Sequence, residues 1–502
     1  MQTANPTLVA HRRQFVVSTT AVDRPGWLHK PLDKGLVLSH CPSLPVETIE
    51  RENRPPAYLL GIAFSVKGPS CADGIRRASR VDPSVYEDWL GRWVLIADDE
   101  VHPDAGATLS VFYSAESASG GPVVSSSAAL ALEAGGGSGT LTVPVTHSAL
   151  LDWVPGPASG FAGLARLLPT AVLRFETDTE ALRPVAIPRQ HLRTDVHGND
   201  EDAITEELRE RLIAGIQAAA TRFDTLLVPL TSGQDSRLIL AAALAAGVEP
   251  TTYTFHKDRV QHGEVITLAD STVPRRMADS RGIRHLYVRP QEKNARAESI
   301  MSVHTAGRFD GVDRHYIANG QWASLPADAL VLRGGLFELG RHRLAFRFDS
   351  EIAHAPERWV EAILAGFRVA LFNPNVAPVR RMLEDWVDWV RRAEMPGLDL
   401  VDRFYLDQRV GCWLGDIEQA LDLVQPERIH VANSSRTLSL LLSQPLEVRQ
   451  EKGHQVRLIE ALSPQLAAFP YNRRDPMLRI LARRARRVSG LIRSRLGISA
   501  MS

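Results

Sequence analysis

The sequence lacks several features that would identify a class of protein directly. Its three cysteines, Cys41, Cys71 and Cys412, are widely spaced and odd in number, so we expect neither a disulfide framework nor a zinc site. Its 58 acidic and 58 basic residues cancel, which leaves no overall charge to attract nucleic acid. It has no apolar stretch of the ~20 residues that a membrane span needs, and its first residues lack the pattern of a signal peptide. We therefore predict a cytoplasmic protein without a nucleic-acid partner.

What the sequence does contain is typical of a globular protein with more than one domain. The chain has 502 residues, of which 44% are hydrophobic and 23% charged, and this length predicts two or three domains. Up to about residue 185 the pattern favours short strands, at 57–66, 93–97 and 109–113. Residues 186–204 are polar and contain proline, as in a linker.

From residue 205 the pattern changes to helices that alternate with short apolar strands. Such alternation predicts βαβ units on a mainly parallel sheet. The predicted helices are 205–221, 236–246 and 272–281, the predicted strands are 225–230, 251–255 and 285–288, and residues 357–465 are expected to be mostly helical.

The C-terminal segment, residues 477–502, combines arginines with leucine, isoleucine and valine at near-helical spacing. A basic amphipathic helix of this kind can lie on an anionic membrane surface or dock on a protein partner. The alternative is a solvated helix that packs on its own domain. The arginines are Arg479, Arg483, Arg484, Arg486, Arg487, Arg493 and Arg495.

Two glycine-containing segments are candidates for phosphate binding, and only one of them is retained. Residues 135–139 are followed by a strand-like segment, 140–146, so no helix N-terminus is available there to hold an anion, and we predict a turn. Residues 225–246 instead predict a strand, a tight polar loop and a helix. The positive end of that helix and its unpaired N–H groups favour a polyphosphate.

The loop itself consists of Thr231, Ser232, Gly233, Gln234, Asp235 and Ser236. A carboxylate beside phosphates is tolerated when a divalent cation bridges them, so Asp235 is a candidate Mg²⁺ ligand. The alternative interpretation is that Ser232, Asp235 and Ser236 only cap the helix, because these residue types are preferred N-caps.

The loop resembles the Ser-Gly-Gly-x-Asp-Ser pyrophosphate motif of the N-type ATP pyrophosphatases, and its flanks resemble those of asparagine synthetase. Thr231 replaces a serine of the motif and Ser232 replaces its first glycine. The resemblance implies that residues 231–236 bind ATP and that Asp235 binds Mg²⁺.

Further segments follow in the order found in that family. Residues 270–285 resemble its second nucleotide-side element, which makes Asp270 a candidate metal ligand. We expect the helix to start near Thr272, with Pro274 in its first turn and Asp270 at its mouth. The alternative is that Asp270 is simply an N-terminal helix charge.

Residues 330–341 resemble the family's Ser-Gly-Glu-Gly-x-Asp-Glu segment near ATP and magnesium. The resemblance assigns nucleotide binding to Gly334 and metal binding and catalysis to Glu338, and Arg333 and Arg341 add positive charge. A surface turn with flanking charges is the alternative.

Residues 445–457 resemble the family's proline, arginine and lysine segment. In that family, a lysine in this segment stabilises the negative charge of the adenylated intermediate and of the departing pyrophosphate. Arg457 falls on that position in this chain, with Lys452 just upstream, so these two cations are the candidate catalytic residues together with Glu338.

The strand-rich half resembles the glutaminase domain of asparagine synthetase over residues 91–98, 109–113 and 123–130. Glutamine hydrolysis in that family depends on a cysteine directly after the initiator methionine, and this sequence has Gln2. We therefore expect the nitrogen to come from ammonia or from an amine on the substrate.

The resemblance as a whole implies an α/β protein with four parts. These are a degenerate glutaminase-like α+β sandwich of the Ntn-hydrolase type (1–185), the linker (186–204), a parallel-sheet ATP pyrophosphatase domain of the adenine-nucleotide α-hydrolase type (205–476) and the basic helix (477–502). It predicts an AMP-forming amide ligase that uses ATP and Mg²⁺ on a small-molecule or peptide carboxylate. The alternative is a catalytically degenerate homologue that binds nucleotide and acts as a partner or scaffold protein.

Overall fold

A computed structural model shows a mixed α/β protein with two antiparallel sheets and one parallel sheet. The structure describes residues 9–68, 70–114, 121–135, 151–178, 181–255, 268–288, 295–308, 324–348, 351–352, 354–372, 376–424, 426–451 and 453–471.

The first half of the chain forms the two antiparallel sheets, each with six strands. The strand order is β10-β8-β9-β1-β3-β2 in one sheet and β12-β11-β7-β6-β5-β4 in the other, with the following bounds. The strands are β1 Phe15–Ser18, β2 Leu28–Pro31, β3 Val37–His40, β4 Val46–Arg51, β5 Arg54–Ser65, β6 Trp89–Ala97, β7 Glu100–Pro103, β8 Phe112–Ser114, β9 Val123–Ser125, β10 Ala165–Arg166, β11 Ala171–Asp178 and β12 Ala181–Pro188.

The two sheets pack face to face, and a helix covers the outer face of each, which gives four layers. Val17 of β1 and Leu60 of β5 belong to the core shared by both sheets, whereas their neighbours Val16 and Leu59 pack on the outer faces. This period of two buries both faces of each sheet. Two short helices, α1 (Cys71–Arg77) and α2 (Ala128–Ala134), cover the outer faces.

The second half contains a five-stranded parallel sheet in the order β15-β14-β13-β16-β17. The chain adds β14 and β15 on one side of β13 and then returns to add β16 on the other side. The β13–β16 pair is therefore a topological switch point, where the connections leave in opposite directions. The strands are β13 Leu226–Pro229, β14 Thr251–Phe255, β15 His285–Val288, β16 Leu330–Arg333 and β17 Glu427–His430.

Helices cover the parallel sheet and continue to the end of the described chain. The predicted alternation from residue 205 and the mostly helical 357–465 region are confirmed, with β17 as the exception. The helices are α3 Glu201–Ala220, α4 Gln234–Ala245, α5 Leu268–Asp279 and α6 Ala295–Thr305, then Trp359–Gly366, Val369–Phe372, Val376–Arg392, Leu400–Phe404, the π-helix Tyr405–Leu414, Gly415–Leu421, Ser435–Leu442, Leu446–Glu451, Gly453–Leu462 and Pro464–Ala467. Short 3₁₀ helices include Val196–Asn199 and Gly335–Arg341.

Two local predictions are wrong. The expected strand at 109–113 is a strand only from Phe112, because the buried Asp104 carboxylate accepts hydrogen bonds from the N–H groups of Gly106, Thr108 and Leu109 and holds them in a loop.

Helix α5 does not start near Thr272, since it already includes Leu268. Pro274 lies inside the helix and not in its first turn, whereas Asp270 is the third residue of the helix. Proline is tolerated in a first turn, but this preference does not fix where the helix starts.

Buried charges join the two halves. Arg92 of β6 donates to both carboxylate oxygens of Asp422, at 2.8 Å each, and Arg428 and Gln14 donate to the same group at 2.7 and 2.9 Å. Burial alone would raise the pKa of Asp422, but Arg92 and Arg428 outweigh it and lower that pKa. The segment predicted as a linker is anchored on the first half, because Arg189 is buried and donates to the carbonyl oxygens of 103, 104 and 169.

Within the described ranges, no helix combines the length and apolar character needed to cross a membrane. The glycine-rich turn at 135–139 beyond Gly135, the strand-like 140–146 and the basic 477–502 segment lie outside the described residues.

Candidate functional site

The carboxyl ends of β13 and β16 form one corner at the switch point, and two of the segments with predicted site residues, 231–236 and 330–341, lie there. The loop after β13 leads into α4, and the loop after β16 leads through Gly334 into the 3₁₀ helix Gly335–Arg341. Gly334 lies directly against Asp235: a Cβ at Gly334 would come within 3.0 Å of the Asp235 Cβ. A side chain at position 334 would therefore force the two segments apart.

The 231–236 loop is organised by its own hydroxyl groups. Ser236 Oγ accepts a hydrogen bond from the Thr231 N–H at 3.0 Å, and Thr231 Oγ1 accepts one from the Gly233 N–H at 3.1 Å. The two hydroxyl oxygens are 3.0 Å apart. The Thr231 and Ser236 hydroxyls therefore stabilise the conformation of the loop.

Helix α4 begins without a side-chain cap. Its N-cap residue is Gly233, which has extended backbone and no side chain that could accept a capping hydrogen bond. The interpretation of Ser232, Asp235 and Ser236 as N-cap residues is therefore wrong. Since α4 has 12 residues, its aligned peptide dipoles leave positive potential and N–H donors at this corner.

Arg237 anchors the 231–236 loop to the C-terminal end of the described chain. The sequence did not reveal this role. Its side chain is buried and donates to the carbonyl oxygen of Ser232 at 3.2 Å and to that of Pro470 at 2.9 Å. Its guanidinium also stacks 3.8 Å from the centroid of the Tyr471 ring. Ser232, which replaces the first glycine of the motif, is fully buried. Its side chain is thus accommodated inside the fold.

Asp235 and Glu338 converge on a single cation. The same guanidinium nitrogen of Arg341 lies 2.7 Å from Asp235 Oδ2 and 3.1 Å from Glu338 Oε1. The second oxygen of each carboxylate is held by a neutral donor: Gln455 donates to Asp235 Oδ1 at 3.0 Å, and the Tyr405 hydroxyl donates to Glu338 Oε2 at 2.6 Å. The two candidate metal ligands are thus brought together.

Burial and a neighbouring negative charge raise the pKa values of two groups at this corner, Asp235 and Tyr405. Burial, followed by the nearby Glu338, raises the pKa of Asp235 to about 6, although Arg341 and Gln455 act in the opposite direction. Burial and the negative charge of Glu338 also raise the pKa of the Tyr405 hydroxyl well above its usual value. Tyr405 is therefore a hydrogen-bond donor and not a base at neutral pH.

The candidate cations are placed differently. Arg457 pairs with Glu201 at the start of α3, and Arg333 pairs with the buried Glu418. Lys452 lies outside the described residues. Asp270 is in α5, and nothing is described of its side chain.

Besides Arg237, Gln455 and Tyr405 are site residues that the sequence did not reveal. Gln455 lies two residues before Arg457 in the segment that resembles the family's catalytic lysine region, so a signal was present. Tyr405 lies in the π-helix Tyr405–Leu414, where the sequence offers no comparable sign.

A second group of potential metal ligands, His342, Asp399 and Asp402, lies beside the corner. His342 Nε2 and Asp399 Oδ2 are 2.8 Å apart, and Arg449 donates to both oxygens of Asp402. The polar atoms are therefore already paired with one another and with an arginine, as in an ion network.

Comparison with known proteins does not assign a family, since no protein-family model and no curated protein matches this chain.

Proposed function

We propose that this chain is an AMP-forming carbon–nitrogen ligase of the asparagine synthetase type, which adenylates a carboxylate and forms an amide. The observation that carries the proposal is the convergence of Asp235 and Glu338 at the switch point, against the uncapped start of α4. In open parallel sheets, ligands bind outside the carboxyl ends of the strands at such a point.

The arrangement of layers supports the finer assignment of the fold. We propose that the four-layered first half is a degenerate Ntn-hydrolase-like sandwich and that the parallel-sheet half is an ATP pyrophosphatase domain of the adenine-nucleotide α-hydrolase type. The strand order of the second half and the loop position after its first strand agree with nucleotide binding. The three cysteines of the chain are free thiols, which agrees with a cytoplasmic location.

In the proposed site, residues 231–236 and Gly334 bind ATP. The loop side chains are small, and Gly334, which lies against Asp235, has none. The backbone N–H groups at the start of α4 are therefore proposed to contact the phosphates. The Thr231 and Ser236 hydroxyls add donors on the same side of the loop.

The site fits a magnesium ion in one respect, because the Asp235 and Glu338 carboxylates already share one positive charge, that of Arg341. Asp235 and Glu338 would hold Mg²⁺, and Asp270 is the third proposed ligand. When bound, Mg²⁺ would offset the charge of the polyphosphate beside the two carboxylates.

The proposed reaction has two steps. A carboxylate oxygen of the substrate attacks the α-phosphorus of ATP and pyrophosphate leaves, after which an amine attacks the acyl carbon and AMP leaves. Arg457 and Lys452 are the proposed cations for the developing negative charge, and Arg457 must first leave Glu201. The amine is ammonia or belongs to the small-molecule or peptide substrate, since Gln2 replaces the glutaminase nucleophile.

The site assignment is tested by calorimetry with magnesium and a non-hydrolysable ATP analogue. Asp235→Ala should abolish binding, because it removes one of the three proposed metal ligands. Asp202→Ala is the matched control, since Asp202 is an exposed acid in the first turn of another helix, α3. Equal affinity of the Asp235→Ala variant and the native protein would refute the assignment.

A second candidate function has its own observation. Arg341 already neutralises the two carboxylates and Arg457 is paired with Glu201, which agrees with a degenerate homologue that binds nucleotide as a scaffold. AMP release separates the two functions when it is measured with ATP, ammonium and a panel of carboxylic acids and amino-acid substrates. A ligase releases AMP with one class of acid, whereas the scaffold binds the analogue and releases none.

A further inference from the structure

One arginine nitrogen holds the place where a metal ion would bridge Asp235 and Glu338. Each carboxylate presents one oxygen to Arg341 and keeps its other oxygen on a neutral donor, Gln455 or Tyr405. The neutral donors orient the carboxylates without neutralising them. Two negative charges therefore depend mainly on one shared cation.

The shared cation is built into the same segment as one of its partners. Arg341 is the last residue of the 3₁₀ helix that contains Glu338, and its side chain is only 9% exposed. Its Nε is buried without a hydrogen-bond partner among the described atoms. The guanidinium is thus committed to the carboxylates through one terminal nitrogen, while part of its hydrogen-bonding capacity is unused.

The carboxylates are more open than the arginine. The side chains of Asp235 and Glu338 are 25% and 28% exposed, so a cation from solvent can reach them. A second arginine, Arg343, also lies near the pair, but its Nε is 3.6 Å from Glu338 Oε1 and its side chain is 48% exposed. It therefore contributes a weaker, solvent-screened charge.

We propose that Arg341 and a divalent cation are mutually exclusive occupants of the Asp235–Glu338 pair. Oxygen ligands bind Mg²⁺ at about 2.0–2.1 Å, and a guanidinium cannot remain between the same two oxygens at that distance. Metal binding thus displaces Arg341. The freed guanidinium then becomes a cation for the polyphosphate or the substrate carboxylate, and only this second part rests on the proposed ligase function.

The exchange is tested by titrating the intact protein with Mn²⁺ in the absence of nucleotide, with free Mn²⁺ measured by electron paramagnetic resonance. Arg341→Met should bind one Mn²⁺ at least about tenfold more tightly than the native protein, because a positive charge next to the ligands is removed. Arg341→Lys, which keeps the charge, should stay close to the native affinity. The double variant Arg341→Met, Glu338→Gln should lose the gain.

Equal Mn²⁺ affinities of the native protein and Arg341→Met would overturn the proposal, as would a gain that survives Glu338→Gln. Arg341→Gln provides a second uncharged variant if the methionine variant does not fold, as judged by circular dichroism. The native protein gives an independent outcome: tight Mn²⁺ binding without nucleotide that Glu338→Gln abolishes would also overturn it. Because nucleotide is absent from every arm, these outcomes are separate from the ATP-binding and AMP-release tests of the ligase function.

Discussion

Two clusters of acids and arginines in this molecule differ in one property, which is access to solvent. At the junction of the two halves, Asp422 is completely buried and Arg92 and Arg428 are 7% and 2% exposed. At the switch-point corner, Asp235 and Glu338 keep about a quarter of their side-chain surface exposed. The first cluster is closed to exchange and can only support the fold, whereas the second can change partners.

The buried cluster should show the largest loss of stability when it is broken. Asp422→Ala leaves Arg92 and Arg428 buried without their shared carboxylate, so we expect the free energy of unfolding to fall by about 3–5 kcal/mol. Urea denaturation followed by circular dichroism measures this loss. Asp388→Ala, which removes an exposed pair with Arg391, is the control and should change it by less than about 0.5 kcal/mol. A loss at Asp422 as small as at Asp388 would contradict the assignment of a structural role.

An ion pair of intermediate exposure should give an intermediate effect. Glu207 of α3 accepts from Arg436 at 2.8 and 2.6 Å, and the side chains are 16% and 21% exposed. Hydrogen bonds from Arg436 lower the pKa of Glu207 to about 2, while burial acts against them and His197 supports them. After allowance for solvent screening, we expect Glu207→Gln to lose about 1–2 kcal/mol at pH 7.

The pH dependence gives this second prediction its sign. The folded pKa of Glu207 is below the unfolded value of about 4.3, so the stabilisation is complete above that value and is lost as the pH falls toward 2. Denaturation curves of the native protein and Glu207→Gln should therefore converge between about pH 4.5 and pH 2. A difference in stability that is constant over this range would show that lost packing, and not charge, is responsible.

What the sequence could predict depends on how far apart the interacting residues are in the chain. The β13, loop and α4 unit is contiguous, and its apolar run, small loop residues and helical pattern were enough to locate it. The hydrogen-bond partners of the Asp235 carboxylate could not be predicted from a contiguous segment. Gln455 is 220 residues from Asp235, so only the folded chain shows that it holds Asp235.

Local rules failed where tertiary contacts decided the outcome. Leu109 and Val111 alternate with Ser110 as in a strand, but the Thr108 and Leu109 N–H groups donate to the Asp104 carboxylate. Pro274 favoured a first helical turn, but it lies inside α5. The resemblance to asparagine synthetase suggested a carboxylate pair at the corner, but it gave no indication that Arg341 lies between its members.

The smallest expected effect concerns a hydroxyl donor in the open corner. Tyr405→Phe removes the donor to Glu338 Oε2, and because Glu338 is 28% exposed, water can take its place. We expect the free energy of unfolding to change by about 0.5 kcal/mol or less. Thermal denaturation of the variant and the native protein at one pH measures it.

Tyr86→Phe is the matched substitution in a closed environment. Its hydroxyl lies 3.1 Å from His102 Nδ1, and both side chains are buried, so the loss leaves a buried nitrogen without its partner. An unsatisfied buried group costs about 1–3 kcal/mol, so Tyr86→Phe should be more destabilising than Tyr405→Phe. If the two substitutions cost the same, solvent does not compensate lost donors at the corner. The difference in exposure would then not explain why one cluster exchanges its partners and the other does not.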